Sequence, residues 1–344
     1  MKKLLSIFII VCFSLSLNSL CSAQTPEAKD RHAVIISFDG FKPDAITLLG
    51  EKLMPNFHRI IKEGSSTLNA RTDPDRTVTM PNHTCMLTGR GVLGGAGHEY
   101  IDNRSADRSI HENKGSYVAS VFDVAKEHGL TTGLFASKPK FQVFVNSYGV
   151  DKTGGQTSKL DVYQVTEYDD QSTINRVLEQ IGQGLPNMTF VHFSGPDNAG
   201  HKHGWDLSEG AEYWSAVQKE DEYLGKILRA VEKNPTLADS TIIIVTADHG
   251  GIDDDHHDVT KIDNYRIPFI IWGKGVAGGM DLYRINTNNR QDPLGAQVPY
   301  GHSGQPIRNG DAANCAMSAL GLPPVPGSTI GNPDPLKFGA NANN

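Results

Sequence analysis

Six side chains spread along the 344 residues are of the types that hold divalent cations: Asp39, Asp197, His201, Asp248, His249 and His302. Asp197 and His201 stand at i and i+4 in GPDNAGH (195–201), a spacing that turns both side chains the same way on a helix or tight turn. Asp248 and His249 are adjacent. On a strand they would face opposite sides, so both can ligate only where the chain turns, which Gly250 and Gly251 permit. His302 lies in GHSG (301–304), a flexible loop. Taken singly, each is as compatible with a helix cap or a solvated histidine as with a ligand. Together, three carboxylates and three imidazoles suit two borderline-soft divalent cations, zinc first, because calcium and magnesium want oxygen ligands almost exclusively. Three or four protein ligands per ion leave positions open for substrate or water.

A nucleophile is offered by Thr79, which precedes Met80 and Pro81; proline in a first turn starts a helix readily. Thr79 is equally a candidate N-cap for that helix. The same helix start presents free N–H groups and a positive dipole, which suit a phosphate. A hydroxyl placed there beside a divalent cation can lose its proton near neutral pH and attack phosphorus.

These groups need a frame. Short apolar runs at 33–38, 131–137, 188–193, 241–246 and 267–272 read as buried strands. Between and after them, 54–61, 117–128, 172–181, 209–232 and 311–320 read as helices, the fourth with a long apolar stripe. Strands alternating with helices predict an α/β fold, a mostly parallel central sheet with helices on both faces. Ligands of such folds bind at the carboxyl ends of strands. Asp39 directly follows the first run, Asp197 follows the third after a short turn, and Asp248 and His249 follow the fourth. The Pro/Gly/Asn-rich stretch 325–344 predicts a loosely ordered end.

Composition narrows the class. With 38% hydrophobic and 21% charged residues the chain can bury a sizeable core, which excludes disorder, collagen and a coiled coil. Lys2 and Lys3, an apolar run to Leu20 and the small-residue exit before Gln24 read as a signal peptide, 1–23. That predicts a secreted or periplasmic protein with no membrane span in its mature chain and a single domain over 24–344. Its removal takes the net charge from -7 to -9, the wrong sign for a stable nucleic-acid complex. The mature chain keeps Cys85 and Cys315, too few for a disulfide framework, and both read as buried apolar residues.

The motifs SFDGF (37–41), TMPNHT (79–84), GHEYIDN (97–103), GPDNAGH (195–201), ADHG (247–250) and GHSG (301–304), with the ending ALGLPPVPGSTIG (319–331), occur in one order. In them the chain resembles the alkaline phosphatase superfamily, and within it the nucleotide pyrophosphatase/phosphodiesterase (type I phosphodiesterase) family, over residues 32–330. The resemblance implies an alkaline-phosphatase-like fold with its metal site at the strand carboxyl ends. It implies that Thr79 forms a phospho-threonine intermediate. Asp39, Thr79, Asp248 and His249 would hold one zinc, and Asp197, His201 and His302 the other. Asn103 would hydrogen-bond a non-bridging phosphate oxygen, with the Met80 N–H as a second donor. Where the family usually carries an aromatic residue after the nucleophile, this chain has Met80. The expected activity is two-zinc hydrolysis of small-molecule phosphoric esters, preferably phosphodiesters or nucleotide pyrophosphates, by a monomer or homodimer. The rivals are a phosphomonoesterase or phosphonate hydrolase of the same superfamily and a periplasmic metal- or substrate-binding protein.

Other polar residues admit bland readings. Lys138 and Lys140 in SKPKF either meet an anionic substrate or lie on the surface. His203 reads as a solvated rim residue. The acidic stretch Asp253, Asp254, Asp255, His256, His257 and Asp258 reads as an exposed loop or a rim. His83 reads as packing beneath the Thr79 helix.

Overall fold

The computed structural model describes residues 27–104, 107–149 and 158–339; the expected signal peptide, 1–23, lies outside them. Eight strands form one sheet: β1 (His32–Phe38), β2 (Ser65–Arg71), β3 (Thr132–Ala136), β4 (Val162–Val165), β5 (Met188–Phe193), β6 (Thr241–Thr246), β7 (Arg266–Gly273) and β8 (Met280–Asp281). Their order is β4-β3-β5-β1-β6-β7-β2-β8. From β4 to β6 every pair is parallel, and β7 then runs antiparallel to both β6 and β2. All five apolar runs are strands within a residue or so of the expected bounds. In β5 and β6 every residue is buried, the signature of strands covered on both faces.

Two groups of helices supply that cover. Helix Asp311–Leu320 packs on β1 and β6 together with the helix Thr79–Thr88. On the other face, helices Asp170–Gln183 and Glu212–Lys233 pack together, the first against β3, β4 and β5. The expected helix over 117–128 begins only at Val121, because Ser120 and Asp123 close a capping box there. Among the described residues no helix is long and apolar enough to cross a membrane.

The end of the chain corrects an expectation. Residues 325–339 do not fray: Val325, Ile330 and Leu336 are buried, and the Val325 N–H donates to Asn314 Oδ1 at 2.9 Å. Three apolar anchors outweigh the local turn chemistry that reads as loose. Residues 340–344 lie outside the described range. Cys85 and Cys315 are both free and buried, as their isolation in the sequence suggested.

Candidate active site

The strand order brings the carboxyl ends of β5, β1 and β6 side by side, and from them come Asp197, Asp39 and Asp248. After β1 the chain turns at Gly40, whose φ of +66° favours glycine. Its N–H donates to Asp248 Oδ1 at 3.1 Å, and its carbonyl accepts from Trp205 Nε1 and the Tyr213 hydroxyl. A Cβ at Gly40 would stand 2.9 Å from Asp197 Cα, so the three acidic segments can close together only around a glycine. Asp197 and His201 lie in one helix, Gly195–His203, as their spacing predicted. Asp39, Asp197, Asp248 and His249 are buried.

Three imidazoles complete the cluster, and each is oriented by a backbone carbonyl. His249 Nδ1 meets Gly250 O at 2.8 Å, His201 Nδ1 meets Asp254 O at 3.1 Å, and His256 Nδ1 meets Thr77 O at 2.6 Å. A carbonyl can only accept, so each Nδ1 carries the proton and each Nε2 turns a lone pair inward. His249 Nε2 lies 3.2 Å from Asp248 Oδ2, 3.5 Å from Asp39 Oδ1 and 3.7 Å from Asp197 Oδ1. Those four atoms are buried acceptors with no hydrogen-bond partner. Beside them His201 Nε2 and His256 Nε2 face each other at 3.1 Å, and Asp197 Oδ1 lies 3.4 Å from the first and 3.9 Å from the second. Acceptors facing acceptors in a buried site cost each its desolvation penalty unless a cation stands between them. The donor set therefore fits metal ions: ligand atoms of Asp197, His201 and His256 lie within 4.8 Å of one another, and so do those of Asp39, Asp197 and His249. Imidazole paired with carboxylate is zinc-type ligation. Hydrogen-bonded Nδ1 atoms are the usual outer support of such ligands.

His302 is not among them. It lies exposed, with its N–H bonded to Pro299 O and its Nδ1 accepting from the Gly304 N–H, inside a self-contained loop. His256 stands where a third imidazole was expected from His302. It is the buried member of an otherwise exposed acidic loop and stacks on His249 at 3.6 Å. The sequence signal for it was only that the loop follows ADHG and leads into β7. His203 is exposed, on the rim of a cleft of about 610 Å³ lined also by Lys42, His201, Trp205 and Asp253. His83 does lie beneath the Thr79 helix, with Nδ1 bonded to Thr79 O and Nε2 to Ser37 Oγ, both at 2.8 Å. Both ring nitrogens are thus engaged, although the ring also stands within ligand reach of Asp39 and Asp248, with Nδ1 3.6 Å from Asp248 Oδ2.

Thr79 opens the helix Thr79–Thr88, but the N-cap position falls on Val78 and no side chain caps the helix. The Thr79 hydroxyl is thus not spent on capping. Its segment is tied to the imidazole cluster through Thr77, which bonds His256 by both backbone and hydroxyl. The Met80 side chain is fully buried, so it offers no stacking surface. The Met80 N–H, expected as a free donor, is given to Asn103 Oδ1 at 3.0 Å. An oxygen must face that N–H, so Asn103 Nδ2 remains as the donor of the pair. Lys140 Nζ approaches the same oxygen at 3.3 Å.

Lys138 is neither on the surface nor turned to the cleft. It is 2% exposed, and its Nζ bonds Asp39 Oδ2 at 2.7 Å and Asp197 Oδ2 at 2.5 Å. His192 Nε2 also bonds Asp39 Oδ2, at 2.9 Å. Burial alone would raise the Asp39 carboxyl, but Lys138 and His192 hold it well below the usual carboxylate range. Burial, then the charge of Asp39, pushes Asp248 well above that range. Burial brings His249 down to about 3 and His256 to about 2, so both are neutral imidazoles at pH 7.

The sequence model of the family described as Type I phosphodiesterase / nucleotide pyrophosphatase matches residues 33–292. The chain is 23% identical over 264 residues to mouse ectonucleotide pyrophosphatase/phosphodiesterase family member 7, covering 70% of this chain and 55% of the mouse protein. It is 25% identical over 240 residues to bis(5'-adenosyl)-triphosphatase of Xenopus laevis, covering 67% and 50%. The chain thus spans about half the length of these relatives. Murine ectonucleotide pyrophosphatase / phosphodiesterase 5, solved with AMP, superposes with a TM-score of 0.57 at 14% identity, over 86% of this chain and 96% of that one. An alkaline phosphatase superfamily protein from Vibrio parahaemolyticus gives 0.56 at 18% identity, over 88% and 69%. At those identities the superpositions establish the shared fold.

Proposed function

The chain belongs to the type I phosphodiesterase / nucleotide pyrophosphatase family of the alkaline phosphatase superfamily, and we propose that it hydrolyses phosphoric esters, preferably phosphodiesters or nucleotide pyrophosphates. The catalytic unit is a single domain over 24–344 of a secreted or periplasmic protein, with two divalent cations, zinc, as cofactors. The observation that carries this reading is the set of buried acceptors that face one another beside the start of the Thr79 helix.

Asp39, Thr79, Asp248 and His249 would hold one ion, and Asp197, His201 and His256 the other. When bound, such a pair lowers the pKa of an oxygen nucleophile and stabilises the charge that develops on the attacking and leaving oxygens. The remaining work falls to the chain. Thr79 Oγ attacks phosphorus, the P–O bond to the leaving group breaks, and a phospho-threonine forms. Water then attacks that phosphorus and returns Thr79. Asn103 Nδ2 donates to a non-bridging oxygen, held in place by the Met80 N–H on its other atom. The positive end of the Thr79 helix adds to the field felt by the phosphate.

One observation favours the rival, a phosphomonoesterase or phosphonate hydrolase. Lys140 beside Asn103 supplies an extra positive group of the kind a more anionic substrate needs. Bis-p-nitrophenyl phosphate and p-nitrophenyl phosphate separate the two: preference for the diester supports the first reading, and a large preference for the monoester selects the rival. In Thr79→Ala, zinc content near that of the parent with turnover reduced by about 10³-fold or more is expected for lost nucleophilic catalysis. Full turnover in that variant removes Thr79 from its role.

A further inference from the structure

The sheet order that assembles the cluster also delivers a cation into it. β3 neighbours β5, and β5 neighbours β1, so the residue two positions past the end of β3 reaches both strand-end carboxylates. That residue is Lys138. Its ammonium touches one oxygen of Asp39 and one of Asp197, and in each case it is Oδ2. The other oxygen of each, Oδ1, is buried without a hydrogen-bond partner and faces His249 Nε2. Each carboxylate is thereby divided: one oxygen belongs to the lysine and one is left for an ion.

We propose that Lys138 is the built-in counter-cation of this centre, a positioning residue that keeps the three-carboxylate cluster folded before any ion arrives and limits Asp39 and Asp197 to one ligating oxygen each. The inference rests on the reading of the cluster as a divalent-cation site. Its physical basis is charge. Asp39, Asp197 and Asp248 are buried together, and an unpaired buried charge is strongly destabilising. Of the imidazoles in the cluster, His249, His201 and His256 each give the Nδ1 proton to a backbone carbonyl and turn Nε2 inward as an acceptor, so they offer the carboxylates no donor. Lys140 is turned to Asn103. Among the described residues Lys138 is therefore the cation bonded to the cluster when metal is absent, whereas two divalent ions would make its charge largely redundant.

The test is thermal unfolding of the parent and of Lys138→Met at pH 8, each in excess chelator and in saturating zinc, with zinc per chain measured by mass spectrometry. The parent should gain stability with zinc; a parent indifferent to zinc overturns the cation reading and this inference with it. Lys138→Met should melt about 8 °C below the parent in chelator and far closer to it in zinc. In competition against a chromogenic chelator it should bind zinc at least as tightly as the parent, because an opposing charge is gone. The double variant Lys138→Met with Asp197→Asn, which removes a carboxylate together with its counter-charge, should recover most of the loss in chelator. An equal loss with and without zinc, no loss in chelator, weaker zinc binding, or failure of both variants to fold in either condition would make Lys138 a packing residue and overturn the proposal.

Discussion

His256 gives its Nδ1 proton to Thr77 O and turns Nε2 toward His201, whereas His302 uses its ring to hold its own loop. In His256→Ala, zinc per chain should therefore fall from about two toward one, since loss of a ligand weakens one ion selectively. In His302→Ala both ions should stay. Metal analysis after gel filtration reads the difference directly, and the reverse pattern would restore His302 as the ligand. The histidine in GHSG has flexible glycines around it and looks free to ligate, while the one in the acidic stretch looks solvated. What separates them is a tight reversal, Ile252 against Asp255, that folds the acidic loop back and buries residue 256 alone. That reversal depends on contacts distant in sequence, including Trp205 N–H to Asp253 O, and no local pattern announces it. Lys138 was obscured for a related reason: a lysine in SKPKF reads equally as a substrate contact or a surface residue until the neighbouring strands are known.

The turn after β1 is where three segments meet, and its geometry is set by the backbone of Gly40. Gly40→Ala must adopt a φ of +66° and place a Cβ 2.9 Å from Asp197 Cα. A left-handed alanine alone costs about 1–2 kcal/mol, and the contact adds to it, so a loss of about 2 kcal/mol or more is expected in urea unfolding. Turnover should fall as well, because relief of the contact moves Asp197; a variant with unchanged stability and turnover would show that the turn is more pliable than its contacts indicate. The central parallel strands were legible because a strand buried on both faces is written as a largely apolar run, as in β1, β5 and β6, whereas the half-exposed edge strand β4, VYQV, was not expected. β2, with the sequence SSTLNAR, carries no such run. It is a strand because β7 pairs with it in antiparallel register, a tertiary cause that its own residues do not encode.

Across the whole molecule, burial of neutral histidines ties stability to pH. His98 is fully buried, with Nε2 near Pro81 O and Nδ1 accepting from the Tyr100 N–H, and burial brings it down to about 3. An unfolded chain protonates this group near 6.5, so between those limits the unfolded state holds a proton that the fold refuses. The stabilisation is present above pH 6.5 and drains away as pH falls toward 3. Unfolding free energies from denaturant melts taken from pH 7 down to pH 5 should decline in the parent, and His98→Gln should show a slope shallower by about 1 kcal/mol per pH unit. Identical slopes would mean that His98 is already charged in the fold. The centre itself is unevenly sheltered: the side chain of His201 is 42% exposed at the cleft, while His249 is wholly covered. In the proposed two-ion centre the ions should then leave at different speeds. Stopped-flow extraction should resolve a fast departure from the His201 side and a slow one from the His249 side, with a long-lived single-ion species between them, and the slow step should be paced by opening of the protein and so be indifferent to chelator concentration.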